Sequence, residues 1–124
     1  MKDNRPTNLN LTTIKFPLPA ITSILHRISG AFLFFAVAVL LYLLDLSLSS
    51  EAGFQEVTEM LTGPLAKFVI WLILAGLAYH FVAGCKHLIM DMGIGETMSG
   101  GVLGARLVFA ATTLAAVYWG MLIW

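Results

Sequence analysis

Charged side chains are scarce in this sequence. Only seven Lys or Arg and seven Asp or Glu occur among 124 residues, or 11%, where soluble domains carry about a quarter. Their charges cancel, so no overall field recruits nucleic acid or anionic lipid, and we expect no nucleic-acid partner. One cysteine excludes a disulfide within the chain. A hydrophobic content of 59% and a mean hydropathy of +0.88 place the chain among membrane proteins.

Three apolar stretches contain no charged residue. They cover residues 28–44, 68–85 and 107–124, and their lengths of 17 or 18 residues lie at the short end of the range for membrane-spanning helices. Flanking residues extend them. We therefore predict an all-α membrane protein, with one domain over 1–124, an N-terminal arm over 1–19, and spans at about 20–45, 65–91 and 104–124.

The basic residues predict the orientation of the spans. Only Lys67 lies in the first loop, whereas six basic residues lie before or at the start of the first span or around the second loop: Lys2, Arg5, Lys15, Arg27, Lys86 and Arg106. Because basic loops stay in the cytoplasm, we predict a cytoplasmic N-terminus and a periplasmic C-terminus.

A cleaved signal peptide is the alternative for the first span. The 27-residue basic region is too long for one, and the apolar core exceeds the usual ~7–15 residues, although Ser-Leu-Ser at 47–49 keeps this alternative open. No Arg-rich and Ser-rich transit segment leads the chain, which favours a bacterial inner membrane.

Glycine and acidic residues mark the two loops. The first loop contains an acidic stretch at 55–61, compatible with a short amphipathic segment. The second is predicted to be the glycine-rich loop, with Gly93, Gly95, Gly100, Gly101 and Gly104.

His80 is the most informative residue of the second span. An ionisable side chain at membrane depth costs on the order of a few kcal/mol, so it indicates a functional site. Imidazole is a common ligand of metals, haem iron included. The alternative is a hydrogen bond to another helix.

His80 belongs to a polar stripe along its helix. At about 100° per residue, four residues lie within roughly 40° of it: Gly76, Gly84, His87 and Asp91. Glycine beside His80 would let a planar macrocycle approach the backbone, while plain helix packing is the alternative use of these small residues.

The first span carries a second polar group. Ser23, His26 and Arg27 share one face, where they can hydrogen-bond a carbonyl-bearing ligand or pair with carboxylates such as haem propionates. Alternatively, Arg27 reaches to the lipid headgroups. Antiparallel neighbours would bring this group near His87 and Asp91, with His80 ~10 Å deeper. The sequence thus predicts a buried metal cofactor below a polar pocket.

Four motifs together resemble a known family. Arg5-Pro6, Ser23-x-x-His26-Arg27-x-Ser29-Gly30, His80-x-x-x-Gly84-x-Lys86-His87 and Asp91-x-Gly93 are similar to motifs of the cytochrome b556 membrane-anchor subunits of succinate dehydrogenase. The resemblance covers the whole chain. It implies a subunit of an enzyme complex, which with a second anchor holds one haem b and a ubiquinone site. It also implies a flavoprotein subunit and an iron–sulfur subunit, docked on the cytoplasmic side.

The resemblance assigns roles residue by residue. His80 matches the axial ligand of the haem iron, and His26, Arg27 and His87 are expected to contact the propionates. Ser23 and Arg27 match quinone-site residues, and Asp91 matches a position associated with proton delivery. Lys86 stands where the family usually has arginine. If that arginine holds a propionate or a lipid phosphate in two-pronged fashion, lysine replaces it only as a point charge, which affects the detail at position 86 and not the haem.

The number of deep histidines implies a partner. His26 and His87 are predicted to lie too near the surface to oppose His80, so a six-coordinate haem needs its second ligand from the other anchor. Two other functions compete with this one. A structural anchor, as in related fumarate reductases, would not need His80. A small transporter would usually carry an embedded carboxylate and inverted repeats, whereas Asp45 and Asp91 lie at span ends and no repeat is found.

Overall fold

The computed structural model describes Thr7 and residues 9–124, and these residues form helices and no strand. Four helices follow one another, α1 (Leu18–Ser49), α2 (Glu51–Thr62), α3 (Pro64–Asp91) and α4 (Met98–Ile123). Proline occupies the first or second position of α1 and α3, where no helical hydrogen bond is lost. The Arg5-Pro6 motif lies outside the described residues.

Three of the helices are long and apolar enough to cross a bilayer: α1 with 32 residues, α3 with 28 and α4 with 26. At about 1.5 Å per residue, the shortest is about 39 Å long, which exceeds the ~30 Å hydrocarbon layer. The predicted all-helical fold with three such helices is confirmed.

The helices extend beyond the predicted spans. Helix α1 continues to Ser49, and α4 begins at Met98, so Gly100 and Gly101 are helical and the prediction that they lie in a loop is wrong. Gly104, the first residue of the predicted third span, is helical as well. Thr97 caps the N-terminus of α4, because its hydroxyl accepts a hydrogen bond from the Gly100 amide at 3.1 Å. The true turn is short and contains Gly93 and Gly95, whose φ angles of 83° and 73° favour glycine.

The acidic stretch of the first loop lies in α2, a short helix beside α1. Ser50 caps it, because its hydroxyl accepts a hydrogen bond from the Gly53 amide at 3.0 Å. The predicted amphipathic segment therefore forms a complete helix that connects two long ones.

The buried core is small and lies where α1, α3 and α4 meet. Tyr79, Ala83 and Val108 pack together there. The Tyr79 hydroxyl donates a hydrogen bond to the Thr22 carbonyl at 2.8 Å, which joins α3 to α1. Elsewhere large apolar side chains face outward, as expected where lipid or partner helices replace water.

Candidate functional site

The His80 ring is held by two acceptors from α1. Its Nδ1 lies 3.0 Å from the Ser29 hydroxyl and 3.2 Å from the His26 carbonyl oxygen. A carbonyl can only accept, so Nδ1 carries the proton and Nε2 keeps its lone pair. No described residue hydrogen-bonds Nε2. This is the state of an imidazole that can bind a metal.

Three imidazoles form a histidine cluster, defined here as His26, His80 and His87. The rings of His26 and His80 stack at a centroid distance of 4.2 Å, with 14° between their planes. His26 also meets His87 at 5.2 Å and 55°. Helix α1 therefore places one ring between two rings that are seven residues apart on α3.

Two glycines permit this close contact. A Cβ at Gly30 of α1 would lie 3.1 Å from Cε1 of His80, and a Cβ at Gly84 of α3 would lie 3.4 Å from Nε2 of His26. Each helix thus carries the pattern His-x-x-x-Gly, and each glycine lies against the other helix's imidazole.

The glycines of the predicted stripe serve helix packing. A Cβ at Gly76 would lie 3.0 Å from the Phe32 ring, just as Gly84 adjoins His26. Side chains of α1 fill both spaces, so the prediction that a macrocycle approaches the α3 backbone there is wrong. The alternative, plain helix packing, accounts for both positions.

The predicted depth difference of ~10 Å between His80 and His26 is also wrong, since their rings touch. His26 lies eight residues inside the start of α1, and His80 lies eleven residues before the end of α3. At 1.5 Å per residue these distances are about 12 and 16 Å, so the two side chains reach similar depths.

Ring geometry nevertheless prevents His26 from opposing His80 across one metal. Two trans imidazoles would have centroids about 6 Å apart, given metal–nitrogen bonds of about 2 Å and the ring radii. The observed centroid distance of 4.2 Å is too short for that arrangement. The two rings lie face to face in nearly parallel planes. His26 and His80 are therefore not arranged to hold one metal from opposite sides, and a ligand supplied by another subunit stays a prediction.

The other predicted site residues lie around this cluster. Arg27 and Asp91 are exposed, and both lie close enough to His87 to act on its charge. Ser23 is half-buried one turn before His26. The structure thus brings the polar residues of α1 and α3 to one end of the helix pair, whereas Lys86 points to α4, where its side chain packs on Gly104.

Sequence reasoning assigned no role to Ser29, Tyr79 or Trp71, although each joins two helices. Ser29 contacts His80, Tyr79 contacts Thr22, and the Trp71 indole donates to the Ala116 carbonyl at 2.8 Å. Ser29 follows His26 by three residues, a helical spacing that could have indicated a shared face. No comparable signal marks the carbonyl partners, because every residue has one.

The fold and the histidine cluster define a multi-pass helical membrane protein whose polar side chains concentrate between two antiparallel spans. A model of the succinate dehydrogenase/fumarate reductase transmembrane subunit family matches residues 1–119. The chain belongs to this family.

Characterised relatives agree with the family. The chain is similar to the succinate dehydrogenase cytochrome b556 subunit of Coxiella burnetii (strain RSA 493 / Nine Mile phase I), with 38% identity over 125 residues and 100% of both chains covered. It is 38% identical to the cytochrome b560 subunit of Marchantia polymorpha, over 93% of this chain and 88% of that one. Identity to the cytochrome b556 subunit of Paracoccus denitrificans is 28%, over 94% and 89%.

Proposed function

We propose that this chain is a membrane-anchor subunit of succinate dehydrogenase that binds haem b together with a second anchor subunit. The observation that carries the proposal is the state of His80, whose Nδ1 is engaged by Ser29 and the His26 carbonyl while Nε2 has no partner among the described residues. An oriented imidazole with an open nitrogen fits an axial ligand of haem iron. The cytochrome names of the relatives support the choice of haem b.

The surroundings of His80 also fit the rest of a haem. Propionates are carboxylates, and His26, Arg27 and His87 supply ring nitrogens and a guanidinium at one end of the α1–α3 pair. When bound there, the haem supplies one-electron chemistry. The chain's own residues orient it and neutralise its charge.

A second anchor subunit supplies the opposite axial histidine in this proposal. The stacked His26 ring is unsuitable for that position, and His87 lies seven residues from His80 on the same helix, about 10 Å along its axis. The described part of the chain has no other histidine. The iron–sulfur subunit and the flavoprotein subunit complete the complex on the cytoplasmic side. Succinate oxidation belongs to those subunits, so the isolated chain is no catalyst.

The quinone site is proposed at Ser23 and Arg27. Both belong to α1, and Arg27 is exposed, so its guanidinium is available to donate hydrogen bonds to a quinone carbonyl oxygen. Quinone reduction also consumes protons. Asp91 ends α3 as an exposed carboxylate, and we propose that its oxygens pass protons from water toward this site.

The orientation follows the basic residues. We propose a bacterial inner-membrane location with the N-terminus and the α3–α4 turn in the cytoplasm and the C-terminus in the periplasm. Bacterial relatives that match over most of their length support this location.

The test is a spectrum of the complex purified through a tag on this chain. We expect a dithionite-reduced minus oxidised difference spectrum of b type, with flavin and iron–sulfur signals in the same preparation. A complex that carries flavin but no b-type signal would contradict haem binding. That result would favour the mainly structural anchor, which the family also allows because it includes fumarate reductases.

A further inference from the structure

An apolar groove runs between α3 and α4 next to the turn that joins them. Its volume is about 360 Å³, near the lower end for ligand sites. Apolar side chains of both helices form its walls, among them Val82, Ile89, Leu103 and Leu107. We call it the Lys86 groove, because Lys86 is the only charged residue among the described residues that line it.

The carbon chain of Lys86 packs against α4 inside the groove. A Cβ at Gly104 would lie 3.1–3.5 Å from three carbons of the lysine, so the absence of a side chain at 104 makes room for it along α4. Lys86 is only 9% exposed. Among the described residues it has no hydrogen bond or ion pair, and Asp91 and Glu96, the acidic residues of this end, are exposed and do not pair with it. A buried cation is costly unless an anion meets it.

The groove faces away from the histidine cluster. Lys86 follows His80 by six residues, which places it about 120° around α3. Leu103 and Leu107 in the groove wall are 59% and 60% exposed, so the groove is open to the surrounding lipid. At this depth lipid offers acyl chains beside a layer of phosphates.

We propose that the Lys86 groove binds an anionic phospholipid. One acyl chain lies against Leu103 and Leu107, and the phosphate oxygens accept hydrogen bonds from the Lys86 ammonium. An uncharged apolar groove would bind any lipid chain, but the single unpaired cation at the membrane surface selects a negative headgroup.

The test counts lipids on the intact complex by native mass spectrometry. The complex is reconstituted in nanodiscs that contain phosphatidylglycerol and phosphatidylcholine, then released and weighed. Phosphatidylglycerol retention should fall roughly fivefold in Lys86→Gln, the ratio expected for one basic contact, and persist in Lys86→Arg. Arg106→Gln is the matched control, because Arg106 is an exposed cation of α4 that does not line the groove.

Equal retention in the wild type and Lys86→Gln would overturn the proposal, as would equal losses in Lys86→Gln and Arg106→Gln. Loss of another subunit from Lys86→Gln, with lipid retention unchanged, would mean that a partner's carboxylate meets the lysine. The b-type spectrum should stay the same in all three variants. The lipid proposal therefore stands or falls independently of haem binding.

A separate observation concerns Ser29. This buried serine bridges both helices of the site, because its hydroxyl donates to the His26 carbonyl at 2.8 Å and accepts from Nδ1–H of His80 at 3.0 Å. Groups that bind the second nitrogen of a ligating imidazole fix its tautomer and orientation and raise its basicity.

We infer that Ser29 is a positioning residue for His80, an inference that rests on the proposed haem binding. Removing its oxygen should make the imidazole a weaker donor to ferric iron, so the haem midpoint potential should rise in Ser29→Ala. A tenfold change in the ferric-to-ferrous affinity ratio corresponds to about 59 mV for a one-electron couple. Ser29→Thr keeps the hydroxyl and should stay near the wild-type potential.

Redox titration of the purified complex decides the matter. Ser47→Ala is the control, because Ser47 is another α1 serine that donates to the carbonyl three residues earlier, at 2.7 Å, but lies far from His80. An unchanged potential in Ser29→Ala overturns the Ser29 role while haem binding stands. A wild-type complex without haem overturns the proposed function itself. If Ser29→Ala fails to assemble, a shifted potential in Ser29→Thr would contradict the role.

Discussion

At the scale of single residues, the hydrogen bonds of the His80 ring define the site. A histidine inside a membrane must satisfy its N–H, and His80 does so with a hydroxyl and a backbone carbonyl of α1. The same two contacts determine which nitrogen is open. The structural requirement and the proposed chemical role are therefore met by the same atoms.

Replacement of His80 tests that role directly. In His80→Ala, we expect the b-type absorbance of the purified complex to fall at least about tenfold, because the axial ligand is lost. His87→Gln is the control, since a proposed propionate contact should not be needed for iron ligation. Full b-type absorbance in His80→Ala, at equal subunit content, would refute the assignment.

Replacement of Arg27 should separate two activities. In Arg27→Ala, succinate-dependent quinone reduction should drop about 10- to 100-fold, the value of one charged hydrogen bond. Succinate oxidation by a soluble artificial acceptor should change little, because that acceptor bypasses the quinone. Assays of both rates on one preparation check this. If both rates decline together, Arg27 is structural.

At the scale of helices, packing is reciprocal between α1 and α3. Gly30 receives His80 and Gly84 receives His26, so the two helices approach until their imidazoles stack. Tyr79 adds a hydrogen bond that crosses the same boundary. In lipid, where apolar burial gives no driving force between helices, small residues and such bonds hold a pair together.

The two glycines should differ in their tolerance of a methyl group. Alanine at 30 would lie 3.1 Å from a His80 ring carbon, whereas alanine at 84 would make an almost ordinary 3.4 Å contact. Both changes gain the same helix propensity, about 1 kcal/mol, so their difference isolates the clash. We expect Gly30→Ala to be less stable than Gly84→Ala by about 1–2 kcal/mol in thermal melts of the complex. The reverse order would contradict the packing described.

The hydrogen bond from the Tyr79 hydroxyl to the Thr22 carbonyl should contribute less to stability than the close packing at Gly30. Tyr79→Phe should destabilise the complex by about 0.5–1.5 kcal/mol, because the Thr22 carbonyl loses a buried donor. Tyr118→Phe, at an exposed tyrosine of α4, serves as the control. Equal melting temperatures of the two variants would show that the bond adds nothing.

At the scale of the whole molecule, the chain has little interior of its own. Few residues of the described part of the chain are buried, and large side chains such as Phe34 and Phe81 are 76% and 69% exposed. Lipid and partner subunits must cover these surfaces. The unequal distribution of basic residues decides how the whole molecule is inserted.

Accessibility of single cysteines tests that orientation. With Cys85 replaced by serine, a cysteine at Lys15 should react with a membrane-impermeant maleimide only in inverted vesicles, because the basic arm stays in the cytoplasm. A cysteine at Glu56, in α2, should react only in intact spheroplasts. The opposite pattern would invert the proposed topology and place Asp91 on the periplasmic side.

Several features of the site were predictable from sequence because helical periodicity links residues of one helix. The stripe of His80, Gly84 and His87 and the face of His26 and Arg27 follow from 3.6 residues per turn. Depth was not predictable, because it depends on where helices begin and end. The glycine content of residues 100–103 predicts a loop, yet these residues are helical, and Gly104 in the same helix accommodates Lys86.

The sequence by itself determined three long apolar helices, an ionisable residue at membrane depth and the family, since hydropathy and motif spacing are properties of the chain alone. Only the tertiary structure decided how the helices meet. The stacking of His26 on His80, the engaged Nδ1 and the turn of Lys86 toward α4 depend on contacts between residues more than fifteen positions apart. Such contacts arise from packing, and one helix's periodicity carries no information about its neighbour.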